Sequence, residues 1–269
     1  MDSDPRSPVC PACSRPVRPG TSFCGGCGAP LPPSIADDAG PSGAELPASV
    51  VGPVNPWRRI LPSIWMWILL LAVNGVVGIY VRITETSSPS LLVAAELLGI
   101  PIVLLCGFRS RTSWAKLLRS GPFGARSLLF AAAALGVIFV WMNGYFFLVS
   151  LLGVETLNEA EDFVRAGWPV FAMLVVGSLL PAAIEEVAFR GVVQAAFEEV
   201  GNAREAILIQ AGMFAFLHLS PVVFVSHFGF GWVLGYLRLR SRSLLPGMLV
   251  HALWNAWVIL GDIGEMGAA

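Results

Sequence analysis

Charge is scarce in this chain. Of its 269 residues only 13% are Asp, Glu, Lys or Arg, against 55% hydrophobic, and the mean hydropathy is +0.71. Soluble domains carry about 25% charged residues, so an ordinary soluble fold is excluded and an all-α polytopic membrane protein is expected. The first fifty residues lack any apolar stretch of the signal-peptide kind. The first membrane helix is therefore expected to serve as the insertion signal. No internal repeat is visible. The net charge of -1 says little about partners, and no nucleic-acid partner is expected: Arg6, Arg15 and Arg18 are scattered and read as a solvated face. Histidine is scarce too. His218, His227 and His251 are the full complement, all in the last 52 residues.

Cysteine is few in number but concentrated. Four of five fall in Cys10-Pro-Ala-Cys13 and Cys24-Gly-Gly-Cys27. Paired Cys-x-x-Cys knuckles bring four thiolates to the spacing a tetrahedral zinc requires. Gly25, Gly26 and Gly28 permit the tight turn round the second pair. The stretch resembles the short zinc ribbons at the termini of many bacterial membrane proteins, which implies a structural zinc at residues 1–33 and a module able to dock a cytoplasmic protein. Two disulfides are the alternative. Cys106, alone at the end of an apolar run, reads as a packed thiol. Residues 34–58 read as a Pro-rich linker, extended and solvated.

Apolar spans begin at Leu61, in a membrane region expected over 59–263. Seven are read, at about 61–81, 89–108, 127–152, 168–190, 205–219, 222–237 and 244–262, the fifth and sixth being short. The fourth is expected to continue as helix to Val200, with Gly201-Asn202 as its stop. Residues 109–126 read as a basic interfacial helix. Arg58 and Arg59, the cluster from Arg109 to Arg126, Arg190 and Arg204, and Arg238, Arg240 and Arg242 all fall on one side if there are seven spans and a cytoplasmic N-terminus. That arrangement predicts a multi-pass protein of the cytoplasmic (inner) membrane. It also keeps the four cysteines reduced, which favours zinc over disulfides.

Against this background Glu185-Glu186-Val187-Ala188-Phe189-Arg190 stands out. A charge at the centre of a membrane helix costs ~2.5–3.5 kcal/mol, so these three must pair or face a protein or aqueous interior. On a helix Glu186 and Arg190 are i,i+4 neighbours in the favourable order, while Glu185 points about 100° away and is left available as a general base. His251 and Asn255 are likewise i,i+4 and share a face. His227 reads as structural more than accessory.

Glu185-Glu186-x-x-x-Arg190, Phe214-x-x-x-His218 and His251-x-x-x-Asn255, in this order on separate spans, resemble the three motifs of the CPBP family, which comprises CAAX prenyl proteases and bacteriocin-processing (Abi) membrane proteases. The resemblance covers about 168–258. It implies an intramembrane endopeptidase acting on membrane-associated peptides or proteins in the bilayer. In it, Glu185 activates a water with help from His218, Glu186 is held by Arg190, and His251 and Asn255 stabilise the oxyanion. It leaves open a catalytic zinc on Glu185, His218 and His251, because members are often described as metalloproteases. The site is expected nearer the cytoplasmic side, since Arg190 is close to that boundary. A proton-coupled transporter and a non-catalytic scaffold are the rival readings; the lack of inverted repeats weighs against the first, the intact motifs against the second.

Overall fold

The computed structural model describes residues 8–17, 24, 26, 27, 29–32, 57–84, 88–110, 125–154, 158 and 160–268. Most of the expected linker, most of the expected interfacial helix at 109–126, and Glu155 and Glu159 lie outside these residues.

Seven long apolar segments were expected, and each forms a helix. These are α1 (Trp57–Thr84), α2 (Pro89–Arg109), α3 (Ala125–Leu151), α5 (Val170–Val200), α6 (Ala203–Leu217), α7 (Pro221–Ser241) and α8 (Leu245–Ala268); a one-turn helix, α4 (Glu161–Arg165), precedes α5. Five are long and apolar enough to cross a membrane: α1, α2, α3, α5 and α7. The sixth expected span is thus longer than its sequence suggested. α6 has 15 residues, and α8 carries His251, Asn255 and Asp262 among its apolar residues. At about 1.5 Å per residue α6 is roughly 22 Å long, less than the ~30 Å hydrocarbon core. Trp57 and Arg58, expected at the end of the linker, already belong to α1.

Local chemistry sets the helix ends. Ser88 caps α2, its hydroxyl accepting from the Leu91 amide at 3.2 Å, with Pro89 at the first helical position where no amide is needed. Ser220 and Pro221 repeat the device at α7. Gly201 does not close α5 with a left-handed turn; it is extended, and Asn202 instead caps α6 through the amides of Arg204 and Glu205. The hydrogen bonding of α5 is irregular. Two wide π-type stretches, Val175–Leu179 and Glu186–Val193, flank the α-helical Leu180–Glu185.

Packing follows residue size. Gly231 and Gly235 on α7 let α6 approach: a Cβ on Gly231 would stand 3.1 Å from the Ala211 Cα, and one on Gly235 would meet the Gln210 amide. α7 is also held to α3, where the Trp141 indole donates to the Ser226 carbonyl at 2.9 Å and the Tyr145 hydroxyl to that of Val222. Met66, Ile138, Phe189, Phe214, Phe230 and Leu234 are buried in the common core. Outward positions such as Val140, Phe147 and Phe171 are large, apolar and exposed, a surface suited to lipid rather than water.

Candidate active site and metal centre

The charged stretch on α5 divides between two surroundings. Glu186 and Arg190 are both fully buried, with Arg190 Nη1 2.9 Å from Glu186 Oε1. The contact is an ion pair without hydrogen-bond alignment, since Nη1 has no hydrogen-bond acceptor. Arg190 Nη2 donates to the Gly231 carbonyl at 3.4 Å, and its guanidinium lies 4.7 Å from the centre of the Phe214 ring. Space for Glu186 is made by Gly247 on α8, where a Cβ would stand 2.6 Å from Oε2. Below Arg190 the polar layer continues. Buried Gln194 donates to the Gly235 carbonyl at 3.2 Å, and buried Gln210 to that of Gly231 at 2.8 Å. Glu198 and Arg238 close the layer with an ion pair.

Glu185 faces the other way, as its position predicts. His251 stands between the two glutamates: Nδ1 is 3.2 Å from Glu186 Oε1 and Nε2 is 3.6 Å from Glu185 Oε2. An ionised carboxylate only accepts, so Nδ1–H donates to Glu186 and Nε2 is the nitrogen turned to Glu185. The same logic applies to His218. Its Nδ1 lies 3.0 Å from the Phe214 carbonyl, an obligate acceptor, so Nδ1 carries the hydrogen and Nε2 has the lone pair. His227 has Nδ1 3.1 Å from the Val223 carbonyl and packs against His218, with ring centres 4.0 Å apart and the planes tilted by 49°.

These groups line one cavity of about 720 Å³, which Glu185, His218, His227, His251 and Asn255 all reach. Glu186 and Arg190 lie behind its wall. The structure therefore brings together the six polar residues of the motifs, four on the cavity and two buried behind it. It adds His227, whose place beside His218 no spacing rule marks, because it lies on a different helix with no partner at i,i+4. Gln194 and Gln210 also escaped the sequence reading; a glutamine within an apolar span was the available signal. The cavity is not on the arginine-bearing side where Arg190 suggested it. Its lining runs from Glu185 toward the α5 start, and includes Asn74, Glu96 and Asn158 at that end of the bundle.

Among the described residues, only the four cysteines bring three or more metal-ligating atoms within 4.8 Å of one another. The donor atoms of Glu185, His218 and His251 do not all come within that distance of one another. At the N-terminus, Cys10–Cys27 and Cys13–Cys24 Sγ atoms are 3.7 Å apart, the edge of a tetrahedron whose bonds are ~2.3 Å. None of the four is joined in a disulfide. Arg15 ties the knuckles by donating to the Gly26 carbonyl at 3.2 Å. Burial pushes the Cys24 thiol up, but bonds from the Gly26 and Cys27 amides and from neighbouring thiols outweigh it and bring it to about 7.

No curated protein and no solved structure matches the chain. Residues 167–257, the segment from the α5 approach through Asn255, match the family model of type II CAAX prenyl endopeptidase Rce1-like proteins, and this match supports a CAAX-type intramembrane protease.

Proposed function

We propose that the chain is a multi-pass endopeptidase of the cytoplasmic membrane, oriented with its N-terminus in the cytoplasm, that hydrolyses peptide bonds of membrane-associated polypeptides. The observation that carries the reading is the division of labour on α5: Glu186 is committed to Arg190 and His251, while Glu185 fronts a cavity with three imidazoles and Asn255.

The chemistry is set by the hydrogen positions. A water in the cavity meets two acceptors, the Glu185 carboxylate and His218 Nε2. Glu185 removes one proton as the water oxygen bonds to the scissile carbonyl carbon. His218 accepts from the other hydrogen and orients the attack. The carbonyl oxygen becomes an oxyanion, to which the Asn255 amide donates. His251 joins it when Glu185 passes the water's proton to Nε2, with Nδ1 held in line by Glu186, and the proton returns to Glu185 as the intermediate collapses. Glu185 then gives its proton to the departing amine as the C–N bond breaks. Enclosure in a low-dielectric interior strengthens each of these interactions.

The four-cysteine site takes a structural zinc. Its four sulfurs fit tetrahedral coordination and leave no open position. The deciding experiment is single-turnover cleavage of a quenched peptide library by the detergent-purified protein, wild type beside Glu185→Gln. Cleavage by the wild type that is lost in a folded Glu185→Gln supports the reading. Equal cleavage by both removes Glu185 from the chemistry, and none by either returns the transporter and scaffold readings.

A further inference from the structure

We propose that the catalytic cavity is entered from the face of the bundle opposite the arginine-bearing helix ends, so that its substrates are polypeptides presenting their cleavage segment from the non-cytoplasmic side of the membrane. The proposal rests on the endopeptidase reading of the same cavity and adds to it the substrate's side of origin.

Three observations converge. The first is where the lining residues sit along their helices. Asn74 and Val81 are in the second half of α1; Leu92 and Glu96 are in the first half of α2. The α5 contribution stops at Glu185, and that of α6 and α7 is confined to Leu217–Leu219, His227 and Phe230, about the α6–α7 turn. In an up-and-down bundle these positions share one end. The backbone agrees. With α6 only 15 residues long, the turn at His218-Leu219-Ser220 is sunk below the membrane surface, and Leu219 has a left-handed φ of 52°. Non-helical backbone at membrane depth is tolerated where it lines a water-filled cavity.

The second is the closed end. Glu186, Arg190, Gln194 and Gln210 are fully buried in a continuous polar layer that binds α5 and α6 to the carbonyls of α7. This layer lies between the cavity and the helix ends that carry Arg204, Arg238, Arg240 and Arg242. It seals the site on that side.

The third is charge. Arg58 and Arg59 start α1, the cluster from Arg109 to Arg126 comes after α2, and Arg204 and Arg238 to Arg242 lie at the same end. At the cavity end the cations flanking the spans are Arg82 and Arg165, the latter paired to Glu161. The excess of basic residues marks the cytoplasmic side, and the cavity is at the other. A soluble cytoplasmic peptide has no direct path to Glu185. A segment emerging from the membrane at its outer surface does.

The test is thiol accessibility in spheroplasts of a bacterial host expressing the full chain. On a Cys106→Ala background, Val81→Cys and Asn158→Cys report the cavity end, and Glu199→Cys and the four native ribbon cysteines report the other. A membrane-impermeant maleimide is added to intact spheroplasts and, separately, after detergent lysis. We expect Val81→Cys and Asn158→Cys to react in intact spheroplasts and Glu199→Cys only after lysis. The proposal is overturned if both cavity-end thiols react only after lysis, or if they stay unreactive in detergent, which would mean no open mouth there. Labelling does not depend on turnover. The two claims are therefore separable: a wild-type chain that labels as expected yet cleaves no peptide would remove the endopeptidase reading and leave the cavity's side intact, and Glu185→Gln should label as the wild type does.

Discussion

Glu185 and Glu186 are adjacent in sequence yet sit in opposite surroundings, one on the cavity and one fully buried, and substitution at each should read differently. Glu185→Gln keeps the shape of the side chain but cannot take a proton, so turnover should vanish with the thermal melt nearly unchanged. Glu186→Gln should leave Arg190 buried beside a neutral group, and removing one partner of a buried pair costs about 3–5 kcal/mol. A melt shifted well downward or lost expression is the expected result, and a wild-type melt would show that the pair carries no such weight. Asn255→Ala should lower the single-turnover rate ~10²–10³-fold, the scale of one oxyanion donor, with substrate binding little altered. His227 packs against the His218 ring. His227→Ala should slow cleavage less than His218→Ala, and equal losses would make His227 part of the proton path.

At the scale of the element, glycines on α7 and α8 make the room that the charged residues occupy. A Cβ on Gly247 would stand 2.6 Å from Glu186 Oε2, and α8 backbone cannot yield as a flexible side chain would. Gly247→Ala should therefore push Glu186 out of line with both Arg190 and His251, lowering activity and stability together. Gly235→Ala forces α7 from Gln210 and Ile207. Overpacking of that kind costs about 1–3 kcal/mol, so a loss of thermal stability with a nearly intact single-turnover rate is the outcome to look for. Activity falling further than stability in Gly235→Ala would mean that the α6–α7 contact positions His218.

For the whole molecule, reporter fusions after Arg126, Arg165, Arg242 and Ala269 should read in, out, in, out. A cytoplasmic reading at Ala269 would change the number of spans. The ribbon is separately testable: the full chain should hold one equivalent of zinc, and Cys13→Ser should lose it while cleavage in detergent persists. Metal binding displaces thiol protons, so zinc affinity should weaken as the pH is lowered. Much of this organisation was legible in the sequence because it rests on local rules. Scarcity of charge exposed the spans, i,i+4 spacing paired Glu186 with Arg190 and His251 with Asn255, and Cys-x-x-Cys spacing marked the metal site. The hidden part depends on how helices meet. His227 is brought to His218 by the α6–α7 turn, Gln194 and Gln210 matter because α7 lends them carbonyls, and the side on which the cavity lies is set by where in each helix the lining falls. Arg190 misled as a marker of depth because it is a buried part of the seal, not a surface anchor.

The π-type stretches of α5 have a consequence for chain length. A π turn accommodates one surplus residue locally while the helix on either side keeps its direction and facing. Deleting a residue from such a turn lets the backbone relax to ordinary α-helix without re-phasing the residues beyond it. Deleting one from regular helix rotates everything downstream by about 100°. Removal of the exposed Leu179, from the stretch Val175–Leu179, should thus leave an inserted and active enzyme. Removal of Ala183, four residues on within Leu180–Glu185, should turn Glu185 out of the cavity and silence it. Tolerance to shortening along α5 would then be uneven on the scale of a single turn, with spare length stored immediately before the carboxylates whose facing it protects.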